Sequence, residues 1–320
     1  MIRRILRPVV VAAGDRTPSS GAAVLAPPAP IRVALRPRRS LRSRRARLLL
    51  HCAVSLIMVV WIVPTIGLLV SSFRPSSELS RSGWWTALAP PFHFTMSNYE
   101  NVLSQQGMGR AFVNSLFIAI PATVIPLFVA AFAAYAFSWM EFPGRDLLFV
   151  VVVGLLVVPL QTTLIPILKI FADWGLTGKF LAVWLAHTGY GLPFAVYLLR
   201  NFIGSLPRSV FESAFIDGAS HVTAFFRLAV PMSVPAFAAL AIFQFLFVWN
   251  DLLVALIYIG LSNSQNLPMT AAIANLVNSL GGGWYLLSAA AFLSMALPLV
   301  VFFALQRYFV RGIVGGAVKG

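Results

Sequence analysis

The sequence predicts an all-α, polytopic membrane protein with six transmembrane helices and both termini in the cytoplasm. Three observations carry that prediction. Hydrophobic residues make up 59% of the 320 residues and charged ones only 10%, which places the chain outside the range of soluble domains. Apolar stretches of about eighteen residues or more recur, and each is long enough to cross a hydrocarbon layer of about 30 Å. The basic residues fall unevenly between alternate loops, as the positive-inside rule requires of a multi-spanning chain.

Met1–Arg47 holds twelve of the 24 basic residues, is rich in Arg, Pro and Ala, and has no long apolar run. It is expected to be a disordered cytoplasmic tail (1–47) ahead of a six-helix membrane domain (48–320). Arg3-Arg4 is not followed within about thirty residues by the apolar core and cleavage site of an export signal. Span 1 is expected over Leu48–Val70. The loop Ser71–Arg110 follows, carrying Trp84-Trp85 and Pro90-Pro91, and is expected to lie on the membrane surface. Span 2 covers Ala111–Phe137, with kinks at Pro121 and Pro126. Span 3 covers Leu147–Leu168 and is broken by Pro159 and Pro166. Span 4 is Phe180–Leu199, span 5 Val234–Ile257, and span 6 Leu286–Gln306, with Arg307-Tyr308-Phe309 anchoring its end.

With both termini inside, the inner segments hold the tail's twelve basic residues and seven more. The outer segments hold five: Arg74, Arg81, Arg110, Lys169 and Lys179. The net charge of +15 is therefore a topology signal and not a nucleic-acid footprint. A single cysteine, Cys52, excludes an internal disulfide framework. The four histidines, His51, His93, His187 and His221, show no metal-ligand spacing.

Between spans 4 and 5 lies a polar island, Asn201–Ser233, which this count places in the cytoplasm. Pro207 suits a first helical position, where its missing N–H goes unused. Val210, Phe211, Ala214 and Phe215 recur at helical spacing. Gly218 suits a left-handed stop, and Ser220 a cap for a second short helix that ends before Pro231. The first helix, Pro207–Asp217, would be a rod about 16 Å long. Phe211, Phe215 and Ile216 on its skin look made to be covered by another protein.

Asp251 is the only acid within the six spans, and a charge there faces protein or water. Gln244, Phe247 and Asp251 share one face of span 5, with Asn250 beside it. Such a polar–aromatic stripe can serve a sugar, whose hydroxyls bond amides and carboxylates while its apolar face stacks on rings. The same residues can equally be helix–helix glue. Gln161, beside Pro159, and Tyr190, between Gly189 and Gly191, are further pathway candidates. The outer loop Ile259–Tyr285 has no charge and is tipped with Asn263, Gln265, Asn266, Asn275 and Asn278. It is expected to stand outside and offer amides to a partner, with a short helix over Pro268–Leu280 and a hinge at Gly281–Gly283. There is no Walker sequence and no nucleophile–base pair, so the chain is expected to have no catalysis of its own. No internal repeat supports an inverted-repeat carrier.

The residues Glu212-Ser213-Ala214, Asp217-Gly218-Ala219 and Leu228-Ala229-Val230-Pro231 resemble the EAA loop of inner-membrane permeases of bacterial ABC importers. Ser213 stands where the first Ala is usual, and Val230 where Leu is usual. The resemblance implies that the elbow is a coupling helix seated in a cleft of an ATPase subunit. Its coupling residues would be Glu212, Ser213, Ala214, Phe215, Asp217, Gly218, Ala219 and Pro231. From Leu48 to Gly320 the order of features is similar to the smaller permease of maltose-type (MalG-like) carbohydrate importers. Ser71-Ser72-Phe73-Arg74, Asn98-Tyr99, Glu141-Phe142-Pro143-Gly144, Trp249-Asn250-Asp251 and Gly316-Ala317-Val318-Lys319-Gly320 carry it. Trp249-Asn250-Asp251 resembles a segment common to sugar-type permeases, which inclines Asp251 to a structural role. Ser82-Gly83-Trp84-Trp85 and Gln306–Gly312 resemble permeases for α-glucosides.

The family implies a bacterial plasma-membrane assembly: a second permease subunit, two ATP-binding subunits that use ATP and Mg, and an extracytoplasmic sugar-binding protein. No cofactor or metal is expected on this chain, nor any nucleic-acid partner. The rival expectations are an ABC permease for another solute and an ion-coupled secondary carrier.

Overall fold

Every regular element among the described residues is helical, the arrangement that satisfies all backbone groups within one segment in lipid. The computed structural model describes residues 44–260, 263–276 and 284–317. The chain divides into two compact units, Met1–Ser55 and Leu56–Gly320. In the first unit the described part is helical from Arg44, so residues 44–47, expected in the tail, already belong to α1 (Arg44–Ser72). The rest of the expected tail lies outside the described residues.

After α1 come α2 (Ser76–Leu79), a 3-10 turn at Trp84–Leu88, and α3 (Ser97–Glu100). Next, α4 (Met108–Trp139) runs unbroken through Pro121 and Pro126. Then α5 (Arg145–Gly154), extended by a 3-10 turn, meets α6 (Leu160–Asp173) at 102°. The bend falls at Val158-Pro159, whose ψ angles of 118° and 128° are extended. The residue before a proline is driven out of the helical region by the pyrrolidine ring. Pro166 stays inside α6, so only one of the two expected breaks in span 3 forms.

Beyond α7 (Phe180–Ile203) the elbow contains α8 (Arg208–Ile216), α9 (His221–Ala224), a π turn at Phe225–Ala229, and α10 (Val230–Met232). The second elbow helix was expected to end before Pro231. It instead continues through Met232 and bends by 73° into α11 (Val234–Trp249). The π turn is wider than an α turn and eases the proline ring past the preceding carbonyls. Span 5 is also interrupted: α11 stops at Trp249 and α12 (Leu253–Tyr258) resumes after a gap of three residues. Last come α13 (Met269–Leu276) and α14 (Trp284–Ala317), which runs past the expected end of span 6. Among the described residues four helices are long and apolar enough to cross a membrane, and up to six crossings result if each bent pair counts as one.

Within the larger unit α4 packs chiefly on α7, and α11 packs on both α4 and α14. Small residues allow this closeness: Ala119, Ala122, Ala130 and Ala134 of α4 and Ala182 of α7 are fully buried.

Three prolines in these helices free a carbonyl four residues back, and each freed oxygen is taken by a side chain from a different helix. Pro121 frees Phe117 O, which accepts from Trp184 Nε1 at 3.0 Å. Pro126 frees Ala122 O, which accepts from Gln244 Nε2 at 3.2 Å. Pro298 frees Ser294 O, which accepts from Trp249 Nε1 at 3.0 Å. This substitution of partners is what lets α4 and α14 tolerate proline without stopping.

Candidate functional site

The break at Val158-Pro159 opens a cavity of about 700 Å³ between α6, α7 and α11, lined among others by Gln161, Thr163, Trp174, Gly189, Tyr190 and Phe247. Its wall is set by hydroxyls from three helices. Tyr258 Oη donates to Leu164 O at 3.3 Å and lies 2.9 Å from Tyr190 Oη. Thr163 Oγ1 sits 3.2 Å from the same Tyr190 oxygen. Gln161, Tyr190 and Phe247, three of the six expected pathway residues, thus line one space.

The other three do not join them. Gln244 is buried, donates to Ala122 O and to His187 O (3.4 Å), and presses against Gly191. A Cβ on Gly191 would lie 2.5 Å from Gln244 Oε1, so this glycine is required by close approach. Asn250 donates to Leu246 O at 2.8 Å and lines a separate pocket of about 240 Å³ with Ser294 and Phe302. Asp251 caps the restarted helix: its Oδ2 accepts from the N–H groups of Val254 (3.0 Å) and Ala255 (3.2 Å). The expected single stripe is divided because the helix turns aside at Asn250.

His187 escapes sequence reasoning. It is fully buried in α7, with Nε2 3.7 Å from Asp251 Oδ2, beside a void of about 10 Å³. That is room for about one water. No local motif announces it, because its acidic neighbour lies 64 residues on, in the break between α11 and α12.

At the elbow, α8 ends as the sequence leads one to expect. Gly218 has φ +83°; its N–H donates to Phe215 O (3.1 Å) and that of Ala219 to Ala214 O (2.9 Å), a Schellman closure. Ser220 Oγ accepts from Thr223 N at 3.2 Å. Pro207 sits one position earlier than expected, as the extended residue flanking α8. Glu212, Ser213, Asp217 and Pro231 are exposed, and Ala214, Phe215 and Ala219 half-buried.

Phe211 corrects the expected outer skin. It is fully buried, stacked on Trp139 with ring centroids 3.9 Å apart, while Trp139 Nε1 donates to Ile203 O at 3.2 Å. Tyr135 Oη lies 3.2 Å from His221 Nδ1, and Phe215 packs on the same imidazole. The elbow is thereby bolted to α4 and α7. Its exposed large apolar residues are Val210, Ile216, Val222 and Phe226.

The loop after α12 also differs from expectation. Asn263 and Asn266 both donate to Gly178 O, at 3.1 and 2.8 Å, and Gln265 Oε1 accepts from Arg110. Asn114 Nδ2 binds the Gln265 and Leu267 carbonyls, and Thr270 Oγ1 donates to Asp251 O. These amides are used inside the chain because the loop backbone needs partners too. Asn275 remains exposed, while Asn278 and Gly281–Gly283 lie outside the described residues.

Membrane-crossing helices, a lined cavity at a helix break and a polar elbow between the fourth and fifth crossings define a transmembrane transport component. Residues 40–315 match the family described as binding-protein-dependent transport system inner membrane component, and the chain belongs to that family. It is 57% identical over 276 residues to the osmoprotective compounds uptake permease protein GgtD of Synechocystis sp., across 85% of this chain and 92% of that protein. It is 41% identical to the alpha-glucoside transport system permease protein AglG of Rhizobium meliloti, across 87% of this chain and 99% of that protein. Its fold matches a chain of a bacterial alginate ABC transporter crystallised with an alginate pentasaccharide-bound periplasmic protein. The TM-score is 0.61 at 15% identity, over 82% of this chain and 94% of the other.

Proposed function

We propose that this chain is the permease subunit of an ABC importer that carries a sugar, an oligosaccharide or α-glucoside, across a bacterial plasma membrane. It performs no catalysis itself. ATP and Mg are used by two partner ATP-binding subunits, one of which seats the elbow. A second permease completes the channel as a heterodimer, and an extracytoplasmic binding protein delivers the sugar. Family membership and the relatives named for α-glucosides and osmoprotective compounds support the class of cargo.

The observation that carries the reading is the 700 Å³ cavity, where Gln161, Thr163 and Tyr190 offer hydrogen-bonding groups beside the rings of Phe247 and Trp174. An amide and hydroxyls set among apolar and aromatic walls suit a polyhydroxylated ligand with one apolar face. The test is uptake of a radiolabelled α-glucoside by cells carrying Phe247→Ala, Gln161→Leu or Tyr190→Phe. At equal membrane levels, transport is expected to fall several-fold in at least the first two. Unchanged kinetics in all three would remove the cavity from the sugar path.

A further inference from the structure

We infer that the segment from Ser76 to Met96 is a membrane-surface platform, with its open apolar side chains set in the headgroup boundary of the leaflet at the C-terminal end of α1. The segment is built, not loose. Arg74 is 1% exposed and donates to Ser82 O (3.1 Å), Ser82 Oγ (2.6 Å), Glu78 O (3.4 Å) and Thr86 Oγ1 (3.3 Å). Asn98 Nδ2 clamps the carbonyls of Ser72 (2.9 Å) and Arg74 (2.8 Å). Trp84 lies directly on Gly67 of α1, where a Cβ would come within 2.7 Å of Trp84 Nε1. Gly67 precedes the end of α1 by five residues, about 7.5 Å. The platform is therefore held beside the last turn and a half of a membrane-crossing helix, which is the depth of the interface.

Its two apolar strips point away from that body. In a 3-10 turn residues three apart eclipse one another. Ala87 shares the Trp84 side and is buried, whereas Trp85 and Leu88 share the other and are 64% and 59% exposed. Further on, His93 Nδ1 meets the Glu78 carboxylate, and the Thr95 N–H donates to Phe73 O at 2.7 Å. The alternate residues Phe92, Phe94 and Met96 are left outward, 60%, 54% and 57% exposed.

Lipid is the occupant this surface fits. It is joined through Trp84 and Gly67 to α1, which exposes Trp61, Ile66, Leu68 and Leu69, side chains that face hydrocarbon in a crossing helix. Aromatic rings concentrate at the membrane interface, where their amphipathic edges meet headgroups. The one carboxylate of the platform, Glu78, is turned to Arg74 and His93, while Arg81 stays exposed for phosphate headgroups.

The test uses the complete transporter in phosphatidylcholine–phosphatidylglycerol vesicles. Cys52→Ser removes the sole cysteine, and single cysteines are then placed at Trp85, Leu88, Phe92 or Phe94, with Ser77 as an exposed polar control. Spin labels at the four sites are expected to be relaxed more by oxygen than by a water-soluble nickel chelate, and the Ser77 label the reverse. Adding sugar-loaded binding protein should change none of the four. Nickel access equal to that at Ser77 overturns the inference, as does shielding from both reagents, which marks a protein-covered face. Leu88 and Phe92, which make no ring contact with Trp84, keep the test decisive if replacing Trp85 disturbs folding.

Discussion

At the residue scale, the clearest economy is the pairing of the carbonyls freed by Pro121, Pro126 and Pro298 with donors from other helices. Removing a donor strands an acceptor, which costs about 1–3 kcal/mol where the bond is buried, as at Gln244, and less where it is partly open, as at Trp249. Trp249→Phe is accordingly expected to lower thermal stability in detergent, and Pro298→Ala to recover part of it by restoring the helix N–H to Ser294 O. Gln244→Leu with Pro126→Ala should behave the same way. A Pro298→Ala background in which Trp249→Phe costs as much as before would contradict the pairing. Prolines, tryptophans and Gln244 are all visible in the sequence, but their pairing is not. Donor and acceptor stand 45 to 122 residues apart, and which helices meet is decided by packing. Gln244 accordingly reads from sequence as either sugar contact or glue, and geometry makes it glue within the chain.

At the scale of elements, the elbow was legible where its signals are local. Gly218 and Ser220 act on neighbours within four residues, so their stop and cap can be read directly. Phe211 was misjudged because the ring that covers it, Trp139, lies 72 residues earlier. The stack leads to a prediction: Trp139→Ala should loosen α8 from α4, reducing transport-coupled ATP hydrolysis several-fold while membrane assembly persists. Gly218→Pro should abolish uptake, because proline fixes φ near −65° where the fold needs +83°. Uptake assays with quantified membrane levels check both. Full transport by the Gly218→Pro protein would contradict the coupling role. Asp251 shows the same limit from the other side. Its place just before an apolar helix is a capping signal, but within an uninterrupted apolar run it reads as a buried charge. Asp251→Asn keeps an acceptor for Val254 and Ala255 and should be tolerated better than Asp251→Leu, measured as folded yield.

At the scale of the whole molecule, the order of the apolar segments was legible because hydropathy needs only length and composition. Four of them are single helices long enough to cross, and the count of six is reached by taking each bent pair as one. The geometry of two segments was not legible. Span 3 folds back at 102°, and span 5 stops and restarts. The first break adjoins the cavity, which Leu155, Leu156 and Val158 help to line; the second is closed by Asp251, whose carboxylate takes up the N–H groups of Val254 and Ala255. The inward-tied amides of the loop after α12 were hidden for a similar reason, since Gly178, which receives two of them, is distant in sequence. ATP-driven, binding-protein-dependent sugar import is tested by reconstitution. The complete transporter in proteoliposomes, with ATP enclosed, is given a radiolabelled α-glucoside with and without binding protein and protonophore. Uptake is expected to require ATP and the binding protein and to survive the protonophore. Uptake that proceeds without ATP and collapses with the ion gradient would contradict it.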